Sequence, residues 1–422
     1  MPTAHRTAIR KLAVARAISL AGSEAAAIAL TYTVYRRTGS SAWVAATWLL
    51  TFGALGFMSP VAGLIADRFD RQRVMVASDL AGAACFAALA VLESGPPWLL
   101  LLFAFLSAAV KSAFFPAQDA AIPNLVGETE RLTWANGTIS VGRNAGIILG
   151  PILGGLLVVW GGARAVFIVN AVSFTSSALL VRSIRGSFHG DRSDAGEHRG
   201  VRAGFAVLAS DRVLRGITVS WTVLVLGLGA VLVAEVQLAA SFGSSALWYG
   251  LIATGWGVGE LAGSLVARRV VSSRTEGWAL IGGALVMAAG IGWISVTPWF
   301  GLVVAGMVIG GCGDAFAEIS AQGMFQRRTP DAVRSRVMAA SDTLILVGLA
   351  ASFLFAGPLV DALGARGVYA VAGSSCAISA LILLPILRDE RSGRRRFEPG
   401  PEATRAVESA PLVDGLVADD TA

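Results

Sequence analysis

Seven charged side chains interrupt otherwise apolar stretches of this sequence, and their types and positions are suited to chemistry. They are Glu24, Lys111, Arg143, Glu235, Glu260, Asp314 and Glu318. A charge at the centre of a hydrocarbon layer costs at least about 2.5 to 3.5 kcal/mol, so such residues are tolerated mainly in a cavity or in an ion pair. Together they indicate a pathway for ions or polar solutes.

The acids in this set are candidate proton carriers. Desolvation raises the pKa of a carboxyl group, which lets protonation alternate with the binding of another ligand. We name Glu24 first, because it lies midway in an apolar segment, with a neutral structural acid as the alternative. Asp314 and Glu318 share one helix face through their i, i+4 spacing, and Glu235 completes the set. Lys111 is interpreted as an ion-pair partner of Asp314 or Glu318, with a contact to an anionic substrate as the alternative.

Long apolar segments must position these residues. The chain has 422 residues, of which 55% are hydrophobic and 15% charged, whereas soluble domains average about 25% charged residues. Segments of about 18 to 25 residues, each long enough to cross a bilayer as a helix, recur about twelve times. The predicted spans are 12–35, 42–66, 74–93, 98–122, 132–159, 164–183, 214–238, 246–267, 277–296, 298–322, 335–360 and 367–387. The sequence therefore predicts an all-α membrane protein and excludes a soluble enzyme.

Basic residues predict the orientation of these spans. If both termini are cytoplasmic, 28 of the 34 Lys and Arg residues fall on that side, as the positive-inside rule requires. The net charge of +6 then reflects topology, so nucleic-acid binding is not indicated. We expect a multi-pass protein of the inner (plasma) membrane. Four further acids near the span ends are interpreted as solvated helix caps, namely Asp79, Asp119, Asp342 and Asp361.

A polar stretch at 184–213, which includes a short amphipathic helix, divides the chain into two similar halves. We predict a six-helix bundle over 1–183, a cytoplasmic linker over 184–213, a second six-helix bundle over 214–387 and a disordered cytoplasmic tail over 388–422. Gly150-Pro151 and Gly162-Ala163-Arg164 recur as Gly357-Pro358 and Gly364-Ala365-Arg366. This repeat predicts two pseudo-symmetric bundles.

The predicted loop between the second and third spans carries a specific motif, made of Gly63, Asp67, Arg68, Arg71 and Arg73. Its spacing resembles the GxxxDRxxRR signature of the major facilitator superfamily, which implies a cytoplasmic charge network that locks and releases the two halves. A basic loop with no switching role is the alternative. Asp70 stands where many members have Gly, as in the branch of enterobactin exporters and macrolide efflux proteins. The equivalent loop of the second half has Ala267 at the acidic position, which predicts a one-sided network.

Small residues line one face of the fifth span, which contains Arg143, Gly146, Gly150, Pro151, Gly154 and Gly155. The segment resembles the superfamily's antiporter motif, GxxxGPxxGG, and the resemblance implies export. Generic packing of small residues is the alternative. The Arg motif that many proton-coupled exporters carry in the fourth helix is absent, since that span has Lys111 instead.

The resemblance implies the major facilitator fold of twelve transmembrane helices in two bundles and secondary active export of a small amphiphilic compound, such as a drug, a macrolide-like product or a siderophore. Proton antiport with alternating access is the expected mechanism, and an uncoupled facilitator or an uptake carrier is the alternative. A membrane receptor or assembly factor is a third reading. We expect no enzymatic activity, cofactor or metal, because His5, His189 and His198 lie in polar flanks without a nucleophile. The expected partners are substrate, protons and membrane lipid, and the protein is expected to be a monomer.

Overall fold

A computed structural model describes residues 3–126, 132–185, 188, 201–272, 274–329 and 333–391. Every regular element in these ranges is a helix: α1 (Thr3–Thr38), α2 (Ser41–Arg68), α3 (Arg71–Leu92), α4 (Pro97–Lys111), α5 (Phe114–Val126), α6 (Leu132–Arg182), α7 (Val201–Ser210), α8 (Arg212–Ala240), α9 (Ala246–Val270), α10 (Glu276–Ile294), α11 (Phe300–Arg328) and α12 (Arg334–Arg391). The tail predicted to be disordered from 388 is helical over 388–391, where α12 continues, and from 392 onwards it lies outside the described residues. The middle of the predicted linker, 189–200, also lies outside them.

By length and composition, ten helical segments of the described chain can cross a membrane when α4 and α5 are counted as one. Two of them, α6 and α12, are each long enough to cross twice and bend at a glycine. The bends convert ten segments into twelve spans, so the predicted number of spans is confirmed. The predicted fourth span is interrupted by a turn at Ser112 and Ala113.

Gly162 and Gly364 make these two bends. The dihedral angles are φ 70° and ψ 179° at Gly162, and φ 69° and ψ 168° at Gly364. This region of backbone conformation is accessible essentially to glycine alone. The chain can therefore reverse direction at each point without a loop, so the gaps between the predicted spans are short.

An arginine two residues after each bend holds the corner. Arg164 Nε donates to the carbonyl oxygen of Ala90 at 2.9 Å, and Arg366 donates to the carbonyl oxygens of Ile294 and Thr297. The three acceptors lie at or just beyond the end of the third span of the same half, where helix carbonyls have no partner within the helix. The repeated sequence thus builds the same corner twice, as the internal repeat predicts.

The two halves share a core at one end only. We call the end that holds Gly162 and Gly364 the far end, and the end that holds the start of α1 and the ends of α2, α9 and α11 the basic end. At the far end, one cluster of buried apolar side chains includes residues of both halves, among them Phe167 and Tyr369. At the basic end, the first half and the second half have separate clusters. The halves are therefore joined at the far end and diverge towards the basic end.

Candidate functional site

A cavity of about 200 Å³ lies between the two halves, on the basic side of their contact. Three helices line it: α6 from the first half, and α9 and α11 from the second. The lining consists of Arg143, Asn144, Ile147, Ile148, Gly257, Glu260, Leu261, Ser264, Asp314, Ala315, Glu318, Ile319 and Gln322. Apolar and charged groups thus meet in one space, as in sites for amphiphilic ligands.

Negative charge dominates this cavity. Its charged side chains are three carboxylates and one guanidinium, from Glu260, Asp314, Glu318 and Arg143. The charges of Glu260 and Glu318 both repel that of Asp314, while Arg143 attracts Glu318. Glu318 also accepts a hydrogen bond from Gln322 Nε2. Within the described part of the chain, Asp314 accepts no hydrogen bond and forms no ion pair, so its carboxylate is available to a cation or a proton.

The sequence predicts some of the charged residues that line this cavity. Asp314 and Glu318 share a face of α11, as their spacing predicts, and Arg143 of the antiporter-like helix faces them across the cavity. Glu260 is one of the seven interior charges, but it is not among the residues predicted for the site. Its signal was the same as that of the others, a carboxyl group in an apolar segment, and only the packing of α9 against α11 brings it to Asp314.

Two of the predicted proton carriers are not part of this lining. Glu24 is half-buried on α1, where its Cβ faces Gly150 of α6. Within the described chain its carboxylate accepts no hydrogen bond. Glu235 is buried in α8 near the far end, with only 3% of its surface exposed. Glu24 and Glu235 therefore lie apart from each other and from the cavity that holds Asp314 and Glu318.

Lys111 lies in a buried ion pair inside the first half. Its Nζ is 2.6 Å from Asp79 Oδ1 and 3.2 Å from Ser19 Oγ. The rings of Phe114 and Phe174 lie on two sides of the ammonium group, with ring centroids 4.1 and 4.5 Å from Nζ. These cation–π contacts and the ion pair together compensate for the loss of water around the charge.

The predicted pairing of Lys111 with Asp314 or Glu318 is therefore wrong. The end of α4 packs against α1 and α3 of its own half, so Asp79 is the carboxylate within reach. Asp79 has no exposed surface, and its interpretation as a solvated cap is wrong as well. The acid that caps α3 is Asp70, whose side chain accepts a hydrogen bond from the backbone N–H of Arg73 at 2.8 Å. Aspartate in place of glycine at position 70 thus provides the N-cap of α3.

The antiporter-like segment of α6 packs closely against α1. A Cβ placed on Gly146 would lie 3.0 Å from the backbone nitrogen of Ala21, and one on Gly154 would lie 2.6 Å from the carbonyl oxygen of Ala25. Gly150 makes a similar approach to Ala21. The spacing of four residues puts these glycines on one face of the helix, so small residues are required for the observed distance between the two helices.

A second face of the same segment meets the other half of the protein. A Cβ on Gly155 would lie 2.9 Å from Leu247 Cα, and the carbonyl oxygen of Pro151 lies against Gly250 of α9. Thr254 Oγ1 donates to the carbonyl oxygen of Ile148 at 3.4 Å. These contacts run from the far end to the middle and stop where the cavity begins, so this part of α6 forms both the seam between the halves and one wall of the cavity.

We expect Gly154→Ala to destabilise the protein and Gly137→Ala to leave it stable. Both positions are in α6, but a Cβ at Gly154 would collide with backbone atoms of α1, whereas a Cβ at Gly137 would have nothing within 4 Å. Overpacking of this kind costs about 1 to 3 kcal/mol. The measurement is thermal unfolding of both variants in detergent. Equal melting temperatures would show that α1 does not press on α6 at this position.

The motif loop contacts its own half. Arg71 Nη1 donates to the carbonyl oxygens of Ala120 at 2.8 Å and Phe188 at 3.3 Å. Arg68 and Arg73 are exposed. A Cβ at Gly63 would have nothing within 4 Å, so among the described residues no helix packs against this glycine. The side chain of Asp67 lies outside the described residues. In this conformation, Arg71 is the motif residue with described contacts. It binds Phe188 in the segment that follows α6.

Comparison with known proteins places the chain in a family. The model of the Major Facilitator Superfamily matches residues 12–234 and 222–417, and the chain belongs to this superfamily of membrane transporters. Its fold is the major facilitator fold. The nucleoside transporter NupG aligns over 90% of this chain and 99% of its own, with a TM-score of 0.74 and 13% identity. A bacterial homologue of the human lysosomal transporter Spinster aligns over 95% of this chain and 100% of its own, with a TM-score of 0.70 and 14% identity.

Relatives with a similar sequence include two efflux proteins. The multidrug efflux pump Tap of Mycobacterium tuberculosis is 27% identical over 394 residues, which cover 88% of this chain and 92% of the pump. Macrolide efflux protein A of Streptococcus pyogenes is 26% identical over 205 residues, which cover 47% of this chain and 50% of that protein. The resemblance to the superfamily that the motifs indicate is therefore confirmed.

Proposed function

We propose that this protein exports a small amphiphilic cation by proton antiport, with the two halves exposing the cavity to each side of the membrane in turn. The observation that carries the proposal is the cavity between the halves, in which Glu260, Asp314 and Glu318 face a single guanidinium. The apolar side chains of Ile147 and Ile148 in the same lining suit the body of such a molecule. The similarity to the two efflux proteins favours export over uptake.

In the proposed mechanism, protons and the cation compete for the same carboxylates. On the side from which protons enter, protonation neutralises the cavity and releases the cation. On the other side the carboxylates lose their protons and bind a new cation. Like charges held close together favour uptake of a proton by one of them, which suits Asp314 between its two acidic neighbours. Glu24 is a second candidate carrier, because it is half-buried on α1 beside the seam.

The charge distribution supports an orientation with the basic end and both termini in the cytoplasm. In that orientation, the structure corresponds to a state whose halves are joined at the outer side and separated on the cytoplasmic side. We propose that 1–183 and 214–387 move against each other as two units in the inner membrane, connected by 184–213. Gly63, which has no neighbour within 4 Å of a Cβ position among the described residues, then lies where the second half can close.

A transport assay in everted membrane vesicles tests this function. Vesicles with an acidic lumen and a pH-sensitive dye receive cationic dyes, macrolides or siderophores, and each cation is paired with a neutral analogue. We expect cationic compounds to dissipate the proton gradient and their neutral analogues to leave it intact, because only a positive charge competes with protons in the cavity.

Two outcomes would contradict the proposal. If a labelled compound crosses the membrane while no protons move, the protein is an uncoupled facilitator or an uptake carrier, according to the direction of flux. If neutral compounds dissipate the gradient as strongly as cations do, the cavity carboxylates do not select the substrate. Vesicles without the protein give the background for each compound.

A further inference from the structure

An acid is buried at the closed far end, away from the cavity carboxylates. Glu235 of α8 is 3% exposed, and its Oε1 has no hydrogen-bond partner among the described residues. No cationic side chain of the described chain acts on it. Burial of an ionised carboxylate without a counter-charge or hydrogen bonds is costly. This position therefore suits a carboxyl group that carries a proton in the conformation seen here.

The groups that face Glu235 are hydroxyls rather than cations. Tyr249 of α9 and Tyr369 of α12 are both within its electrostatic reach, and both are almost completely buried. The hydroxyl of Tyr369 has no partner among the described residues. Tyr249 interacts with Thr31 of α1, and the charge of Glu24 also reaches it. Two helices of the second half thus place a tyrosine near the acid, and Tyr249 connects it to the first half through Thr31.

A second cavity lies next to this acid at the far end. It has a volume of about 150 Å³ and is lined by Tyr32, Tyr35, Arg36, Val236, Ala239, Ala240, Gly243, Ser244, Ser245 and Tyr249. Val236 follows Glu235 in sequence, and Tyr249 belongs both to the cavity wall and to the surroundings of the acid. Tyr32 donates a hydrogen bond to the carbonyl oxygen of Ser244 across the two halves. Tyr249 thus belongs to both the cavity wall and the surroundings of the acid, and the Tyr32 hydrogen bond joins the halves beside it.

We propose that Glu235 is a second proton-binding site, reached from the far end through this cavity when Tyr32 and Tyr249 separate from their partners in the other half. The inference rests on the proposed antiport and specifies where its protons enter. A proton from water binds a carboxylate oxygen of Glu235, and the neutral acid is then compatible with burial. The ionised acid needs water, so it favours an open far end. Protonation therefore favours closure of the far end, which is the direction that inward movement of protons requires.

Spin-label distances at the far end test this site without any substrate. The labels replace the exposed residues Trp98 and Trp299, one in each half, in a protein whose native cysteines have been replaced. In this parent protein, we expect the population of the longer distance to rise at least about threefold between about pH 6 and about pH 9. In Glu235→Gln, which keeps a neutral side chain at every pH, the short distance should persist throughout.

Two further variants separate this effect from general damage. Glu235→Asp keeps an ionisable group and should retain a pH response, which covers the case in which the Gln variant folds poorly. Glu93→Gln removes another acid of the far end, at the end of α3, and should behave like the parent. A parent without a pH response, or a Glu235→Gln variant that responds as the parent does, would overturn the inference. The two tests can fail independently. The distance measurement uses no substrate, so it can succeed or fail whether or not export is observed in vesicles.

Discussion

The Lys111→Met variant is expected to lose about 3 to 5 kcal/mol of stability, because it leaves the Asp79 carboxylate buried without its counter-charge. Asp79 has no exposed surface, and its Oδ2 already has no hydrogen-bond partner among the described residues. The methionine also removes the cation between the rings of Phe114 and Phe174. Thermal unfolding in detergent, followed by tryptophan fluorescence, measures the loss, and size-exclusion chromatography shows whether the variant still folds.

A double variant and a matched lysine make this prediction specific. Asp79→Leu combined with Lys111→Met should recover most of the stability, since replacing both members of a buried pair by apolar residues is often neutral or stabilising. Lys11 is the matched control because its hydrogen bond to Ser183 Oγ is exposed, and Lys11→Met should change stability by about 1 kcal/mol or less. A double variant as unstable as Lys111→Met alone would show that the pair has a role other than mutual neutralisation.

The Asp314→Asn variant is expected to lose substrate-induced proton movement at least about tenfold. The carboxylate has no partner within the described chain, so its charge is available to the cation, and a charge-assisted contact contributes about 1.5 to 3 kcal/mol. Asparagine preserves the shape but can neither carry a proton nor attract a cation. The measurement is the vesicle assay, with the compound that dissipates the gradient in the native protein.

Two other carboxyl variants show whether the effect belongs to the cavity. Asp361→Asn removes an exposed acid of α12 at the far end and should leave proton movement unchanged. Glu24→Gln tests the second candidate carrier beside Gly150. If Glu24→Gln abolishes coupling while Asp314→Asn transports normally, the proton route follows α1 and the cavity carboxylates have no role in it.

The two proposed proton sites have different positions relative to the seam between the halves. Asp314 lies on the basic side of the seam and Glu235 on the far side. Asp314 lines the cavity on the basic side, whereas Glu235 lines neither of the two cavities described above. A carrier that exposes one site at a time could take a proton at the far end and release it at the basic end. When the Asp314→Asn variant carries the same spin labels, the far-end distance should therefore keep its pH response.

Much of the architecture could be predicted from local features of the sequence. Apolar length and the positions of Lys and Arg predict the number of spans and their orientation, because each span must satisfy its backbone hydrogen bonds internally in lipid. The repeated Gly-Ala-Arg sequence predicts equivalent structures at Arg164 and Arg366, and the four-residue spacing of small residues predicts a close helix approach, which α6 makes to α1. The family followed from the motif loop and the antiporter-like segment. These features depend on residues that are near one another in the chain.

The sequence alone therefore determined the helical architecture, the internal repeat and the family, whereas only the tertiary structure decided which charges meet. Lys111 had several acids at the right depth, and its partner is Asp79 because α3 and α4 turn those faces towards each other within one half. Glu260 joins Asp314 and Glu318 through the packing of α9 against α11, and Glu235 is separated from them by its position near the far end. An ion pair or a cavity depends on the rotation and crossing of helices that are distant in sequence, and hydrophobic patterning sets the length and depth of a span without fixing the partner that each face meets.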